Sequence, residues 1–237
     1  MSNPVSLADR LANVRSKRGY LLPHHGLLAV TSPRILDAYD ELYTALALDE
    51  RVLNAHDREF VWLAILIATD EAIATHHIAK FRAAGGTDAE IEAVLALTGQ
   101  ALGVESYRFV ATHWQSFLPT TDPRAAYLRT IEACAGVNPR LVHMAAAAVH
   151  TCKARWDALS WHIVAAYECG IDEAELAEAI SLAMFPGSVP HFVEAARVWR
   201  ELIIEGKVSA SPMFREWAAL SGQGGHREAS DPSSPAA

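Results

Sequence analysis

The stretch that decides the fold is Asp57 to Leu97, DREFVWLAILIATDEAIATHHIAKFRAAGGTDAEIEAVLAL. It reads as an apolar helix, an acidic break at Asp70-Glu71, a second helix bearing His76 and His77, and a stop at Gly85-Gly86. A third helix is expected from Thr87, because T-x-x-E puts the Glu90 carboxylate where it reaches back to the cap while the Thr hydroxyl accepts from a first-turn N–H. Two histidines and an acid-bearing helix are thereby held inside apolar walls.

The same order recurs downstream in HIVAAYECGIDEAELAEAISLA, which starts at His162. His77, Gly85, Glu90 and Ile91 find counterparts in His162, Gly170, Glu175 and Leu176 at identical spacing. Four positions in register argue for an internal duplication. Counting back from the two histidines pairs Glu59 with Met144, and His143 stands beside it.

On these residues the chain resembles the carboxymuconolactone decarboxylase and alkylhydroperoxidase D-like superfamily. DREFVWLAILIA followed by HHIAKFRAAGGTDAEI carries the "RE" helix, the His and the "GxTxxEI" helix start; WDALSWHIVAAYECGIDEAEL and MFPGSVPHFVEAARVW look like a divergent second copy, covering with the first roughly residues 34 to 205. The resemblance implies an all-α fold, two tandem helical units around a pseudo-twofold axis. The divisions expected are an N-terminal helix and loop over 1–33, a first copy over 34–118, a second over 123–210 and a disordered tail over 221–237. Single-copy members commonly form hexamers, so a fused pair implies a homo-oligomer, a trimer before a dimer.

Composition bounds the function. The chain is 51% hydrophobic, enough for a packed core, and much of that is Ala, the best helix former. Its net charge is −8 with Lys and Arg scattered, so it lacks the basic stripe that tracks phosphate backbones, and no nucleic-acid partner is expected. Cys134, Cys152 and Cys169 are odd in number and show no CxxC spacing, which supports neither a disulfide framework nor a zinc site. The N-terminus MSNPVSLADRLANVRSKRGY is mixed and polar, and no run approaches roughly 18 to 20 uninterrupted apolar residues. A cytoplasmic protein with no membrane partner is expected.

Around the organising stretch, a short helix is expected over Val5–Val14, then a loop YLLPHHGLLAVTSP presenting His24-His25, then a helix RILDAYDELYTALAL opened by Pro33. TGQALGVES reads as an interruption after Leu97, and LPTTDP as the joint between copies. His143 and His150 share one face of a later helix but lie two turns apart, roughly 10 Å, too far to share a metal ion. From Ser221 the tail has too few apolar residues to offset its ordering entropy.

The chemistry follows from what is present and what is missing. Peroxidase members of the superfamily use a CxxC pair ahead of the His; here the positions four and seven before His77 are Ile73 and Asp70, and before His162 they are Ala158 and Arg155, so no thiol chemistry is expected. The decarboxylase branch needs only a proton donor and a site that stabilises an enolate, work that suits imidazole, cations and N–H groups in an apolar pocket. By position His77 is the proton donor or acceptor, against the plainer role of a core His capping a carbonyl. His76 projects about 100° away and either lines the same pocket or meets a neighbouring subunit. Glu59 falls where the superfamily places its relay acid, and Ala55 and Leu63, four residues either side, offer it no cation. Arg58 either binds a substrate carboxylate or is solvated. Trp62, Trp161, His162 and His191 are the remaining candidates for contacting a small, flat substrate, with core packing the other account of the tryptophans. No metal motif and no Gly-rich phosphate loop occurs, so no cofactor is expected. The reading is a cofactor-independent, decarboxylase-like lyase for a small unsaturated or aromatic-derived carboxylic acid or lactone. The alternatives are an isomerase or hydrolase of a related lactone, or a non-catalytic oligomeric ligand-binding protein.

Overall fold

The computed structural model describes residues 6–225, and all regular structure among them is helical. The expectation of a disordered tail falls, from residue 226 on, outside the described residues. The described residues fall into two compact units, with the boundary at Glu50-Arg51 inside the range expected for the first copy.

The first unit holds α1 (Leu7–Arg18), α2 (Pro23–Thr31) and α3 (Pro33–Tyr43), the last running into a π-helical turn over Thr44–Leu48. The segment around His24-His25 is α2 and not a loop, and His25 is buried. The Pro-His-His-Gly sequence misleads because Pro at the first helical position costs no hydrogen bond, and His25 Nδ1 accepts from Leu22 N–H at 3.0 Å in place of a side-chain cap. α1 runs past Val14 to Arg18 and ends on Gly19, whose φ of 80° a side chain would resist. The Arg18 guanidinium is buried between Asp40, at 2.9 Å, and the Tyr43 ring, at 4.1 Å.

The second unit is built on α4 (Ala55–Ala68) and α9 (Pro139–Cys152), which pack against each other. α5 (His76–Ala83) and α6 (Asp88–Leu102) pack on α4, while α10 (Trp156–Glu168) and α11 (Glu173–Ser181) pack on α9. α7 (Glu105–Phe109) and α8 (Pro123–Ala135) link these groups; α12 (Val189–Ile204) and α13 (Pro212–Ala219) follow. α4 is buried without a break from Glu59 to Ile65 and α9 from Leu141 to Cys152. A helix hydrophobic all round belongs in the centre of a layered core. The Ala145–Ala148 run narrows α9 so that its neighbours come close. Arg140 ties the two helix starts together, reaching Asp57 at 2.8 Å and Glu175 at 2.6 Å.

One expectation needs correction here. TGQALGVES does not interrupt the helix after Leu97: α6 continues to Leu102 because Thr98 and Ala101 turn inward, and the break comes at Gly103-Val104. α13 is capped by Ser211, whose hydroxyl accepts from Phe214 N–H.

Helix ends in the two halves match position by position. Asn54 caps α4 and Asn138 caps α9; Asp70, at φ 59°, and Ala154, at φ 52°, follow their C-termini in the left-handed region. These two pairs are each 84 residues apart, whereas Gly85 and Gly170, with φ 93° and 70°, are 85 apart. The Thr87–Glu90 capping box is formed, with Thr87 N–H donating to the Glu90 carboxylate at 2.9 Å. Among the described residues no helix is long and apolar enough to cross a membrane.

Candidate functional site

The Asn54 cap accepts from Asp57 N–H at 2.9 Å and sets where the first turns of α4 begin. Glu59 and Trp62 are three residues apart, hence on one face, and α5 packs across that face. His77, in the first turn of α5, brings Nδ1 to 2.6 Å from Glu59 Oε2. The two side chains are only 3% and 4% exposed. With the carboxylate oxygen accepting, the hydrogen of this bond is on His77 Nδ1, and Nε2 is the ring nitrogen that Glu59 does not engage. His77 thus has a carboxylate partner and not the main-chain carbonyl of the plainer reading.

Other groups surround this pair. The Trp62 ring lies 5.0 Å from the His77 ring, and its indole N–H is buried without a hydrogen-bond partner. The His76 ring is 4.3 Å from that of His77. Burial, followed by the charges of His77 and Lys80, pushes His76 down to about 4 against the opposing pull of Glu59, so it is neutral at neutral pH. Lys80, one turn along α5, is lowered first by burial and also by Arg58, while Glu59 acts in the opposite sense. Lys80 escaped the sequence reading, although its three-residue spacing from His77 was the available signal. A cavity of about 390 Å³ opens beside these helices, walled by Leu63, Leu66 and Ile67 of α4 and by Thr75 and Ile78, which bracket His76-His77.

The second-half candidates join different groups. His162 is completely buried, with Nδ1 3.0 Å from His143 Nδ1 and Nε2 3.0 Å from the Tyr127 hydroxyl. Trp161 is half-buried with its ring 5.8 Å from that of Tyr127. His191, in the first turn of α12, directs Nδ1 at the Cys152 carbonyl at 3.1 Å and meets the Trp156 ring edge-on. The structure therefore gathers Glu59, Trp62, His76 and His77, with Arg58 beside them in sequence, and places His162 and Trp161 around Tyr127 and His191 against Cys152.

The residue matching Glu59 is His143, not Met144. Each stands five residues after its Asn cap, and each contacts the histidine of the next helix. The count from the histidines slips because seven residues separate Asp70 from His77 and eight separate Ala154 from His162. Burial pushes His143 down to about 4 and His150 to about 3, and holds His162 well below the usual imidazole range, so all three are neutral at neutral pH.

Residues 33–114 match the model of the Carboxymuconolactone decarboxylase family. Comparison with curated proteins gives no match, and comparison with solved structures gives none. The matched span holds Arg58, Glu59, Trp62, His76, His77 and Lys80, and stops short of the histidine cluster around Tyr127.

Proposed function

From the premise that residues 33–114 belong to the carboxymuconolactone decarboxylase family, we propose that Glu59 and His77 are the acid–base centre of a cofactor-independent carboxy-lyase. Its substrate is a small unsaturated or aromatic-derived carboxylic acid or lactone. The observation that carries this reading is the buried 2.6 Å bond between the Glu59 carboxylate and His77 Nδ1. A carboxylate on one ring nitrogen fixes the tautomer and orientation of an imidazole, which leaves the other nitrogen to move a proton.

In the reaction, the bond between the carboxyl carbon and its neighbour breaks and CO2 leaves. The electron pair spreads into the adjoining unsaturation as an enolate. His77, which keeps its hydrogen on Nδ1, takes a second proton from solvent at Nε2, delivers it to carbon and returns to the neutral ring. The enolate oxygen needs donors aimed at it, and the Trp62 indole N–H is a buried donor that lacks an acceptor. Lys80 and Arg58 add positive charge where negative charge develops. Burial strengthens each of these interactions.

The test is a panel of unsaturated lactone acids, with CO2 release and product identity followed together. CO2 release that depends on His77 supports the lyase; conversion without CO2 replaces it with a lactone isomerase or hydrolase using the same imidazole. We also infer a homo-oligomer, a trimer before a dimer. Val189 and Val193 on α12 and Met213 on α13 are large apolar side chains left exposed, which supports burial by another copy. A monomer by light scattering at micromolar concentration overturns that inference.

A further inference from the structure

One histidine that the proposed reaction does not use faces two carboxylates at once. His56, in the first turn of α4, directs Nδ1 at Asp57 Oδ1 at 3.0 Å and Nε2 at Glu90 Oε1 at 3.1 Å. Asp57 is its neighbour on α4 and Glu90 stands in the first turn of α6, so the ring joins the starts of two helices. The His56 and Glu90 side chains are 26% and 27% exposed, which leaves the ring within reach of water.

Donor counting decides the charge of this group. A neutral imidazole carries one N–H and an ionised carboxylate only accepts, so a neutral ring satisfies one contact and turns a lone pair toward the other oxygen. Both acids are held below the usual carboxylate range. At Asp57 burial is outweighed by the bonds from Arg140 and His56, and at Glu90 burial is outweighed by the Thr87 bonds and by His56. Both contacts are therefore hydrogen bonds only when the ring carries hydrogen on Nδ1 and on Nε2.

The other half builds the same joint with a permanent charge. Arg140 stands two residues after the Asn138 cap, as His56 stands two after Asn54. It reaches Glu175, the counterpart of Glu90, through bonds of 2.8 and 2.6 Å. A guanidinium stays charged at any working pH, whereas an imidazole does not.

We propose that His56 is a pH-sensitive clasp, which fastens the start of α4 to the start of α6 while both its nitrogens carry hydrogen and releases one carboxylate when it gives a proton to solvent. The step balances: one N–H bond to a carboxylate is lost, the proton passes to water, and the ring keeps its other hydrogen and one partner. The charged groups around the ring are Asp57 on α4, Glu90 on α6 and, through Asp57 at 2.8 Å, Arg140 on α9. α5 meets it with the uncharged Phe81 ring at 5.0 Å. Because the closed form is the protonated one, its contribution to stability is present at low pH and lost as pH rises, opposite in sense to that of the buried neutral histidines. Glu59 lies one turn beyond His56 on α4 and His77 one turn before Phe81 on α5, so the clasp borders the proposed acid–base pair on the same two helices.

The experiment is ring nitrogen NMR on the full chain labelled at histidine, with the His56 signal identified by its absence from His56→Arg. At neutral pH His56 should carry hydrogen on both nitrogens, and it should pass to a single tautomer as the pH is raised. A single tautomer already dominant at neutral pH overturns the clasp. Glu90→Gln should lower the doubly protonated fraction at neutral pH, and an unchanged fraction also overturns it. His56→Arg installs the permanent charge of the other half, so its melting temperature should lose the fall that the wild type shows between about pH 6 and about pH 9. An equal fall in both proteins counts against the clasp. If the variants do not fold, the wild-type spectrum decides alone, with His56 identified through backbone assignment.

Discussion

The α4–α5 pair and the α9–α10 pair start from matching caps, yet an acid meets a histidine in the first and a histidine meets a histidine in the second. In the first half, Glu59 holds His77 through one nitrogen only, and the cavity of about 390 Å³ nearby is lined by their neighbours Leu63, Thr75 and Ile78 and not by His77 itself. In the second, both nitrogens of His162 are occupied and the ring is sealed. Replacing the acid by His143 removes the fixed charge and forces the rings to satisfy one another, which recruits Tyr127 and His150. Depending on the side chain at this one position, the facing imidazole is held through one nitrogen by a carboxylate or through both by neighbouring rings.

The sharpest way to break this contrast is His77→Ala, which should lower turnover by about a hundredfold or more, read as CO2 release per folded molecule. His162→Gln should act chiefly on stability, and equal loss of turnover in both variants would erase the distinction between the halves. Next in size is acid sensitivity. His143 and His150 are pushed by burial from the ordinary value of 6.5 down to about 4 and about 3, so the unfolded chain binds more protons across that window, and His162, held well below the usual range, acts in the same sense. Their contribution to stability is complete above pH 6.5 and is lost as pH falls through that window. Thermal unfolding should show the melting temperature dropping steeply there, and a flat profile would mean that the second-half network is open to water. Tyr127→Phe leaves two imidazole nitrogens without a partner and should cost about 1 to 3 kcal/mol in urea unfolding. Asn54→Ala and Asn138→Ala should each cost about 1 kcal/mol. Unequal costs at the two caps would set the halves apart at their first residues.

The helical class was legible in the sequence because it rests on spacing within single helices, whereas Glu59 and His77 were singled out through the family resemblance and their 2.6 Å contact was not read. The capping box at Thr87 was legible for the same reason. The second half was misread by one residue, since a count along the chain assumes equal lengths between the helix end and the histidine. Only the left-handed residues Asp70 and Ala154 reveal where that extra residue enters. Tyr127 joins His162 across 35 residues of sequence from a separate helix, and no local pattern announces that. Around His25, Pro and Gly signalled a turn, whereas a side-chain bond to the Leu22 amide allowed a helix to begin there.

The all-round burial of α9 has a consequence for how the chain behaves when cut. A helix with no solvent face cannot be left at a free edge, so a cleavage in the 118–123 joint should yield fragments that stay together or precipitate apart. The salt link from Arg140 to Asp57 would hold the nicked pieces in register.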